Sequence, residues 1–99
     1  MKNGYNLIWT NRAFSDLEQI IDYLENNFSK FVIKNFLNKL QKRLLLINDN
    51  PLLFPVSYKF ENTRKSVLSK QVSLYYKVAS NSIYLLSIYD NRQSDKEIK

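Results

Sequence analysis

The residues best suited to chemistry in this sequence fall in its second half, where cations and tyrosines alternate with aliphatic residues. Arg64 and Lys65 begin this part, Tyr75 and Lys77 lie near its middle, and Arg92 follows its last apolar run. Guanidinium and ammonium groups bind phosphate oxygens and carboxylates, so this set suits contact with a nucleic acid or an acidic protein. Charges on an edge strand also discourage intermolecular pairing, which gives the same cations a structural explanation.

Two residue types that support much of enzyme chemistry are absent, since the 99-residue chain has no Cys and no His. Without Cys there is no disulfide, no thiolate nucleophile and no zinc–cysteine site. Without His the chain lacks the commonest general base and metal ligand. Any catalysis must therefore use Lys, Arg, Tyr, Ser or carboxylates, and we expect no metal and no cofactor.

The formal net charge of +6 is unevenly distributed along the chain. Residues 1–28 carry a net charge of −2, whereas residues 29–50 and residues 59–99 each carry +4. The basic excess could attract a phosphate backbone or an acidic protein partner. It is equally consistent with a solvated surface that keeps a small protein soluble, so charge alone does not identify the partner.

The elements that must position the candidate residues are three short strands between residues 64 and 92, with breaks at 69–71 and 79–82. The middle strand alternates between an apolar face and a mixed face, which carry Val72, Leu74, Tyr76 and Val78, and Ser73, Tyr75 and Lys77, respectively. We therefore place Tyr76 in the core and Tyr75 on the surface. Lys70 lies in the first turn, and Asn81 is expected to adopt the left-handed conformation in the second. The last strand is apolar throughout, which is typical of a central strand.

The first half of the sequence predicts a strand followed by two amphipathic helices. Residues 5–10 form the strand, and Thr10 is a plausible N-cap for a helix over residues 11–27 with an acidic outer face. Phe14 belongs to the apolar stripe of this helix and is expected in the core. Ser29 can cap a second helix, which ends at Asn50-Pro51 because proline cannot continue it. In the connector that follows, Leu53, Phe54 and Phe60 are expected to pack on the domain.

These elements predict one domain spanning residues 1–99, of the α+β class, in the order β-α-α-β-β-β. The short link between the helices forces a helical hairpin, which is expected to pack on an antiparallel sheet. The first strand must join the later three through a long crossover. No apolar run reaches the roughly 20 residues of a membrane span, and the N-terminus lacks the features of a signal peptide. We therefore expect a cytoplasmic protein with no membrane partner.

This order of elements, together with residues at three places, resembles the RelE/ParE superfamily of toxins from bacterial type II toxin–antitoxin pairs. The resemblance covers nearly the whole chain. Its motifs are the helix entry WTNRAFSDLEQI from Trp9 to Ile20, the helix end at Asn50-Pro51, and the sheet residues Arg64, Leu74-Tyr75-Tyr76-Lys77-Val78 and Tyr89-Asp90-Asn91-Arg92-Gln93. It implies a growth-inhibiting toxin that is neutralised by an acidic antitoxin.

The superfamily has two branches that differ in mechanism. The RelE-like branch cleaves mRNA in the ribosome with Lys and Arg side chains, and the ParE-like branch binds and poisons DNA gyrase. Aligned with the cleaving enzymes, this chain keeps a basic residue at Arg64 but has Ser66 and Ser73 at positions that are basic in those enzymes. Because serine cannot stabilise the charge developing on phosphate as a guanidinium does, we favour the ParE-like function.

The resemblance implies a different role for the same residues in each branch. For a gyrase poison, the expected target-contact residues are Arg64, Lys65, Tyr75, Lys77 and Arg92. For the alternative, a metal-independent ribonuclease acting on ribosome-bound mRNA, the candidate catalytic residues are Arg64, Tyr75 and Arg92. An inactive or repurposed member of the superfamily is a third interpretation.

Overall fold

A computed structural model describes residues 5–91 as an α+β fold in which two helices pack on one face of a four-stranded sheet. The predicted order of elements is confirmed: β1 (Asn6–Trp9), α1 (Asn11–Asn27), α2 (Lys30–Asp49), β2 (Arg64–Val67), β3 (Val72–Ala79) and β4 (Ser82–Asp90). Neither helix within the described residues has the length and apolarity that a membrane span needs.

The strands lie side by side in the order β1-β4-β3-β2, so β4 is central as its apolar sequence predicts. The last three strands form the expected antiparallel meander. β1, however, runs parallel to β4, and the sheet is therefore mixed rather than wholly antiparallel. The physical reason is the long crossover, because a connection through two helices can return the chain in the parallel direction, which a tight hairpin cannot do.

The core lies between the helices and one face of the sheet. It contains Ala13, Ile20 and Leu24 of α1, Leu40 and Ile47 of α2, and Val72, Leu74, Tyr76, Ile83, Leu85 and Ile88 of β3 and β4. The prediction for Phe14 is wrong, because 56% of this residue is exposed. The neighbouring Ala13 takes the buried position in the first turn of α1, and the Phe14 ring stands edge-on to Trp9 with centroids 6.4 Å apart.

Where β1 ends, residues at the start of α1 form hydrogen bonds with the edge of β4. Thr10 caps the helix as predicted, since its Oγ1 accepts from the Ala13 amide at 3.2 Å, and the same hydroxyl donates to the Leu85 carbonyl at 2.8 Å. One turn later, the Asp16 carboxylate accepts from the Ile88 amide at 3.0 Å and from the Ser87 hydroxyl at 2.9 Å. Two polar side chains thus satisfy strand groups that β1 is too short to reach.

The connector between α2 and β2 folds into a hairpin that extends the sheet beside β2. The Lys65 amide donates to the Pro55 carbonyl at 3.0 Å, and the Ser57 amide donates to the Thr63 carbonyl at 2.6 Å. Phe54 packs against the core as expected, whereas Leu53 is 60% exposed and does not. We call residues 55–63 the connector hairpin, which leads directly into β2.

The turn between β3 and β4 differs from the prediction in one residue. The positive φ of 53° belongs to Ser80 and not to Asn81. Ala79 pairs with Ser82, so only two residues form the loop. In two-residue hairpin loops of type II′ the first loop residue has positive φ, whatever its side chain prefers.

Candidate functional site

The face of the sheet opposite the helices, which we call the open face, carries most of the candidate residues. Its side chains come from the three antiparallel strands: Lys65 and Val67 of β2, Ser73, Tyr75 and Lys77 of β3, and Tyr84, Ser87 and Tyr89 of β4, where a register shift opposite Tyr75 and Tyr76 interrupts the strict alternation. Lys65 lies opposite Tyr75, and Ser73 lies opposite Tyr89. The strand register therefore brings two lysines and three tyrosines together on one surface.

Tyr75 is on the open face but is not exposed as predicted, because only 4% of the residue is accessible to solvent. The connector hairpin places Phe60 against it, with ring centroids 5.3 Å apart and nearly perpendicular planes. Tyr89 covers another side, with centroids 6.4 Å apart. Tyr75 is thus the centre of an aromatic cluster on the open face, and it supports the surface instead of forming it.

Lys59 is a site residue that the sequence did not reveal, because it lies in a connector with no regular periodicity. Ser57 orders this segment, since its Oγ accepts from the amides of Lys59 at 3.0 Å and Phe60 at 3.3 Å. The Lys59 Nζ then lies 4.8 Å from the ring centroid of Tyr89. Similarly, the Lys65 Nζ lies 6.0 Å from the centroid of Tyr75, so two ammonium groups sit over the aromatic cluster.

A groove of about 670 Å³ runs along the open face between the connector hairpin and the β2–β3 turn. We call it the lysine groove, because its lining includes Lys59, Lys65 and Lys70 but no carboxylate among residues 5–91. Tyr58, Ser69, Ser73, Tyr89 and Asn91 line it as well. Lys77 instead borders a separate cavity of about 530 Å³ on the other side of Tyr75, together with Arg12 and Glu61.

Arg64 does not belong to this site, although the sequence placed it beside Lys65. Adjacent residues of a strand point to opposite faces, and Arg64 lies opposite the core residue Tyr76. Its guanidinium donates to the Phe54 carbonyl at 2.6 Å and so fastens the connector to the sheet. The candidate catalytic pair of Arg64 and Tyr75 is therefore divided between the two faces.

Ser66 shares the core side with Arg64 and is fully buried. Its hydroxyl accepts from Arg43 of α2 at 2.9 Å, and the same guanidinium nitrogen donates to the Val67 carbonyl at 2.7 Å. A basic residue at position 66 would therefore point into the interior. Of the two serines at superfamily positions that are basic in cleaving enzymes, only Ser73 faces the groove.

Tyr76 is a core residue, as predicted, and its hydroxyl donates to the Pro51 carbonyl at 2.5 Å. Burial raises the pKa of Tyr76 to about 12, against a smaller opposing effect of the nearby Arg64 charge. At neutral pH the phenol therefore stays protonated and cannot act as a base. Its role is to hold the end of α2 and the connector against the sheet.

Arg92, the remaining candidate, lies outside the described residues. The described chain ends at Asn91, whose amide donates to the Gln71 carbonyl at 2.8 Å and whose side chain donates to the Lys70 carbonyl at 3.2 Å. These bonds bring the end of β4 beside the β2–β3 turn and the lysine groove. Elsewhere in residues 5–91, no three acidic side chains converge where they could hold a metal ion.

The fold is shared with solved toxin structures. The chromosomal ParDE toxin–antitoxin system from P. aeruginosa contains a chain with a TM-score of 0.76 and 17% identity, and the match covers 87% of this chain and 95% of that one. A chain of the E. coli DinJ–YafQ toxin–antitoxin complex matches with a TM-score of 0.60 and 14% identity, over 90% of this chain and 94% of that one. A copper-bound mutant toxin from Helicobacter pylori matches with a TM-score of 0.52 and 20% identity, over 90% of this chain and 97% of that one.

A family model gives the more specific result. Comparison with curated protein sequences produced no significant match. The model for the ParE toxin of type II toxin–antitoxin systems, however, matches residues 7–94, which include both helices, all of the strands except the first residue of β1, and the lysine groove. The resemblance noted from the sequence motifs is thereby confirmed, and the chain belongs to the ParE toxin family of type II toxin–antitoxin systems.

Proposed function

We propose that this type II toxin inhibits growth by binding and poisoning DNA gyrase in the cytoplasm. The observation that carries the proposal is the division of Arg64 and Tyr75 between opposite faces of the sheet. Acid–base catalysis requires the reacting groups to converge within hydrogen-bond reach of one bond, and these two candidates do not converge. An inhibitor that acts through a protein interface needs no such convergence, and the ParE family match supports the same conclusion.

The open face supplies the contact surface in this proposal. Lys65 and Lys77 remain target-contact residues, and Lys59 joins them from the connector hairpin. Tyr75 contributes by supporting the aromatic cluster, and Arg64 contributes by holding the connector. Arg92 remains a proposed anchor, because in the sequence it follows Asn91, which lines the lysine groove.

The ribonuclease alternative is favoured by one observation, the composition of the lysine groove. Lys59, Lys65 and Lys70 could stabilise charge on a scissile phosphate, and Ser73 lies among them. A ribonuclease built on this groove would use lysines in place of Arg64. For this second candidate function, the target would be ribosome-bound mRNA, and Ser73→Arg would raise its cleavage.

A supercoiling assay with purified gyrase, run beside a ribosome-dependent mRNA cleavage assay, tests the proposal. We expect the unmodified protein to inhibit supercoiling and to leave mRNA intact. Ser73→Arg adds a guanidinium to the groove, so it should raise mRNA cleavage only if the protein is a ribonuclease. Strong mRNA cleavage without any effect on supercoiling would contradict gyrase as the target. Circular dichroism of each variant verifies that it is folded.

We further propose that an acidic antitoxin neutralises this toxin. The DinJ–YafQ neighbour is a toxin–antitoxin complex, and the net charge of +6 favours an acidic partner. Large apolar side chains remain exposed on α2, including Phe31 at 70% and Leu45 at 63%. Such residues can be covered by an amphipathic segment of a partner, which makes the helical layer the proposed antitoxin surface.

A further inference from the structure

We propose that the lysine groove binds a single nucleic-acid strand through its phosphates, and that in the gyrase complex this strand is DNA held by the enzyme. Strand binding itself is a property of this chain alone. The gyrase-held DNA rests on the function proposed above. The toxin would then bind both gyrase and the DNA that gyrase holds. This would explain why a basic groove lies on a protein that needs no catalytic site.

The charge distribution of the groove carries the first step. Lys59, Lys65 and Lys70 line it, and no carboxylate of residues 5–91 lines it or forms an ion pair with them. Lys59 and Lys65 are held over aromatic rings, at 4.8 Å from Tyr89 and 6.0 Å from Tyr75, respectively. An aromatic face orients an ammonium group without neutralising it, so the charges remain available to an anionic ligand.

The aromatic lining favours a single strand over a duplex. Tyr58 lies at the wall of the groove and is fully exposed, with 107% of its reference accessible area. Tyr89 lies deeper and is half-buried. A free aromatic face beside a row of cations can stack on unpaired bases while the cations follow the phosphates. A duplex hides the faces of its bases, so it could use the lysines but not Tyr58.

Neutral hydrogen-bond donors complete the surface. Ser69 and Ser73 line the same groove, and hydroxyl groups are common partners of phosphate and sugar oxygens. None of these side chains recognises a particular base. We therefore expect binding that depends on salt concentration and is nearly independent of sequence.

An acidic peptide is a less suitable occupant, because the backbone edge beside the groove is already paired. Val56 forms a bridge with Arg64, and the Lys65 amide donates to the Pro55 carbonyl. A peptide therefore cannot join the sheet as an additional strand at β2. It would have to bind through side chains alone, without the main-chain hydrogen bonds that give an added strand its affinity.

Fluorescence anisotropy with a labelled single-stranded oligodeoxynucleotide of about 12 nucleotides and the purified protein tests strand binding without gyrase. Combined Lys59→Gln, Lys65→Gln and Lys70→Gln substitutions should weaken binding by about tenfold or more. The matched control, Lys30→Gln, Lys34→Gln and Lys39→Gln, removes the same charge from exposed positions of α2 and should change the affinity less than about threefold. Tyr58→Ala should weaken binding with little change in its salt dependence.

Three results would overturn strand binding to DNA as proposed: equal losses in the two lysine variants, tighter binding of an oligoglutamate peptide than of the oligonucleotide, or a preference of about tenfold or more for RNA of the same sequence. If the groove variant loses strand binding but still inhibits supercoiling, DNA contact is not part of gyrase poisoning. If the unmodified protein binds the strand but never inhibits gyrase, the proposed function fails while strand binding stands.

Discussion

Asp16 connects α1 to the sheet through two hydrogen bonds and forms a third within the helix, with Arg12. Its carboxylate accepts from the Ile88 amide, the Ser87 hydroxyl and the Arg12 guanidinium at 3.0, 2.9 and 3.1 Å, and only 13% of the side chain is exposed. A charged acceptor forms stronger hydrogen bonds than a neutral one. One side chain therefore fixes the position of the first helix against the central strand.

We expect Asp16→Ala to lower the free energy of unfolding by about 2–3 kcal/mol, because it leaves the Ile88 amide without an acceptor. Asp22→Ala removes the same charge from an exposed position of the same helix and should change it by less than about 0.5 kcal/mol. Urea denaturation of both variants measures the difference. Equal effects would show that Asp16 acts through helix charge alone.

Tyr76 gives the protein a titration behaviour at high pH. Its folded pKa of about 12 lies above the ordinary value of 10.0, so the folded state favours the neutral phenol. At pH values below 10 this preference contributes fully to the free energy of unfolding. As pH rises through the folded pKa, the contribution is lost, because the unfolded chain releases the proton first.

We expect Tyr76→Phe to destabilise the protein by about 1–2 kcal/mol at pH 7, since the Pro51 carbonyl loses its buried donor. The difference between wild type and variant should shrink as pH rises from 10 towards 12. Denaturation curves at several pH values measure it, and the absorbance of tyrosinate reports the ionisation directly. A difference that stays constant or grows over this range would contradict a raised folded pKa.

The segment of residues 51–54, which precedes the connector hairpin, is held to the sheet at both of its ends. The Tyr76 hydroxyl binds the Pro51 carbonyl, Arg64 binds the Phe54 carbonyl, and Arg43 of α2 lies 5.5 Å from the ring centroid of Phe54. These contacts position the hairpin that carries Lys59 over the open face. The groove is thus assembled by residues that never face it.

The adjacent residues Arg64 and Lys65 allow a matched test of this arrangement. Arg64→Ala should lower the free energy of unfolding by about 1–3 kcal/mol, because it leaves the Phe54 carbonyl without its charged donor. Lys65→Ala, on the open face, should lower it by less than about 1 kcal/mol. Thermal and urea unfolding compare the two. Equal stability of both variants would contradict the assigned role of Arg64.

The two-residue loop between β3 and β4 allows a test of backbone strain at Ser80. A non-glycine residue with positive φ is strained, and Ser80 has this conformation while Asn81 does not. Ser80→Gly should therefore raise the free energy of unfolding by up to about 1 kcal/mol, whereas Asn81→Gly should leave it unchanged or lower it. Urea denaturation distinguishes them, and a gain in the Asn81 variant alone would place the left-handed residue at 81.

For the whole molecule, the proposed roles of toxin and antitoxin predict a growth phenotype. Expression without a partner should stop bacterial growth, and Arg92→Ala should abolish the effect while leaving the fold intact, because an arginine can anchor an interface without supporting the core. Arg64→Ala should reduce toxicity less. Colony counts after induction, with soluble protein verified on gels, measure the outcome. Unimpaired growth at confirmed soluble expression would contradict a growth-inhibiting toxin.

Much of the architecture follows from local patterns in the sequence. The helix periodicity, the Thr10 cap, the proline at residue 51 and the alternation in β3 each act within a few residues, so the elements and their order could be predicted. The core position of Tyr76 follows from the same alternation. The family resemblance also rested on short motifs, each of at most twelve consecutive residues.

The composition of the open face depends instead on contacts between distant parts of the chain. Lys59 joins the site only because the connector hairpin folds over β3, and Phe60 of the same hairpin buries Tyr75. Asp16 is drawn inwards because β1 is too short to cover the edge of β4. Arg64 and Lys65 are neighbours in sequence, yet the sheet separates them. Local patterns fix the face to which a residue points, but only tertiary packing decides what lies on that face.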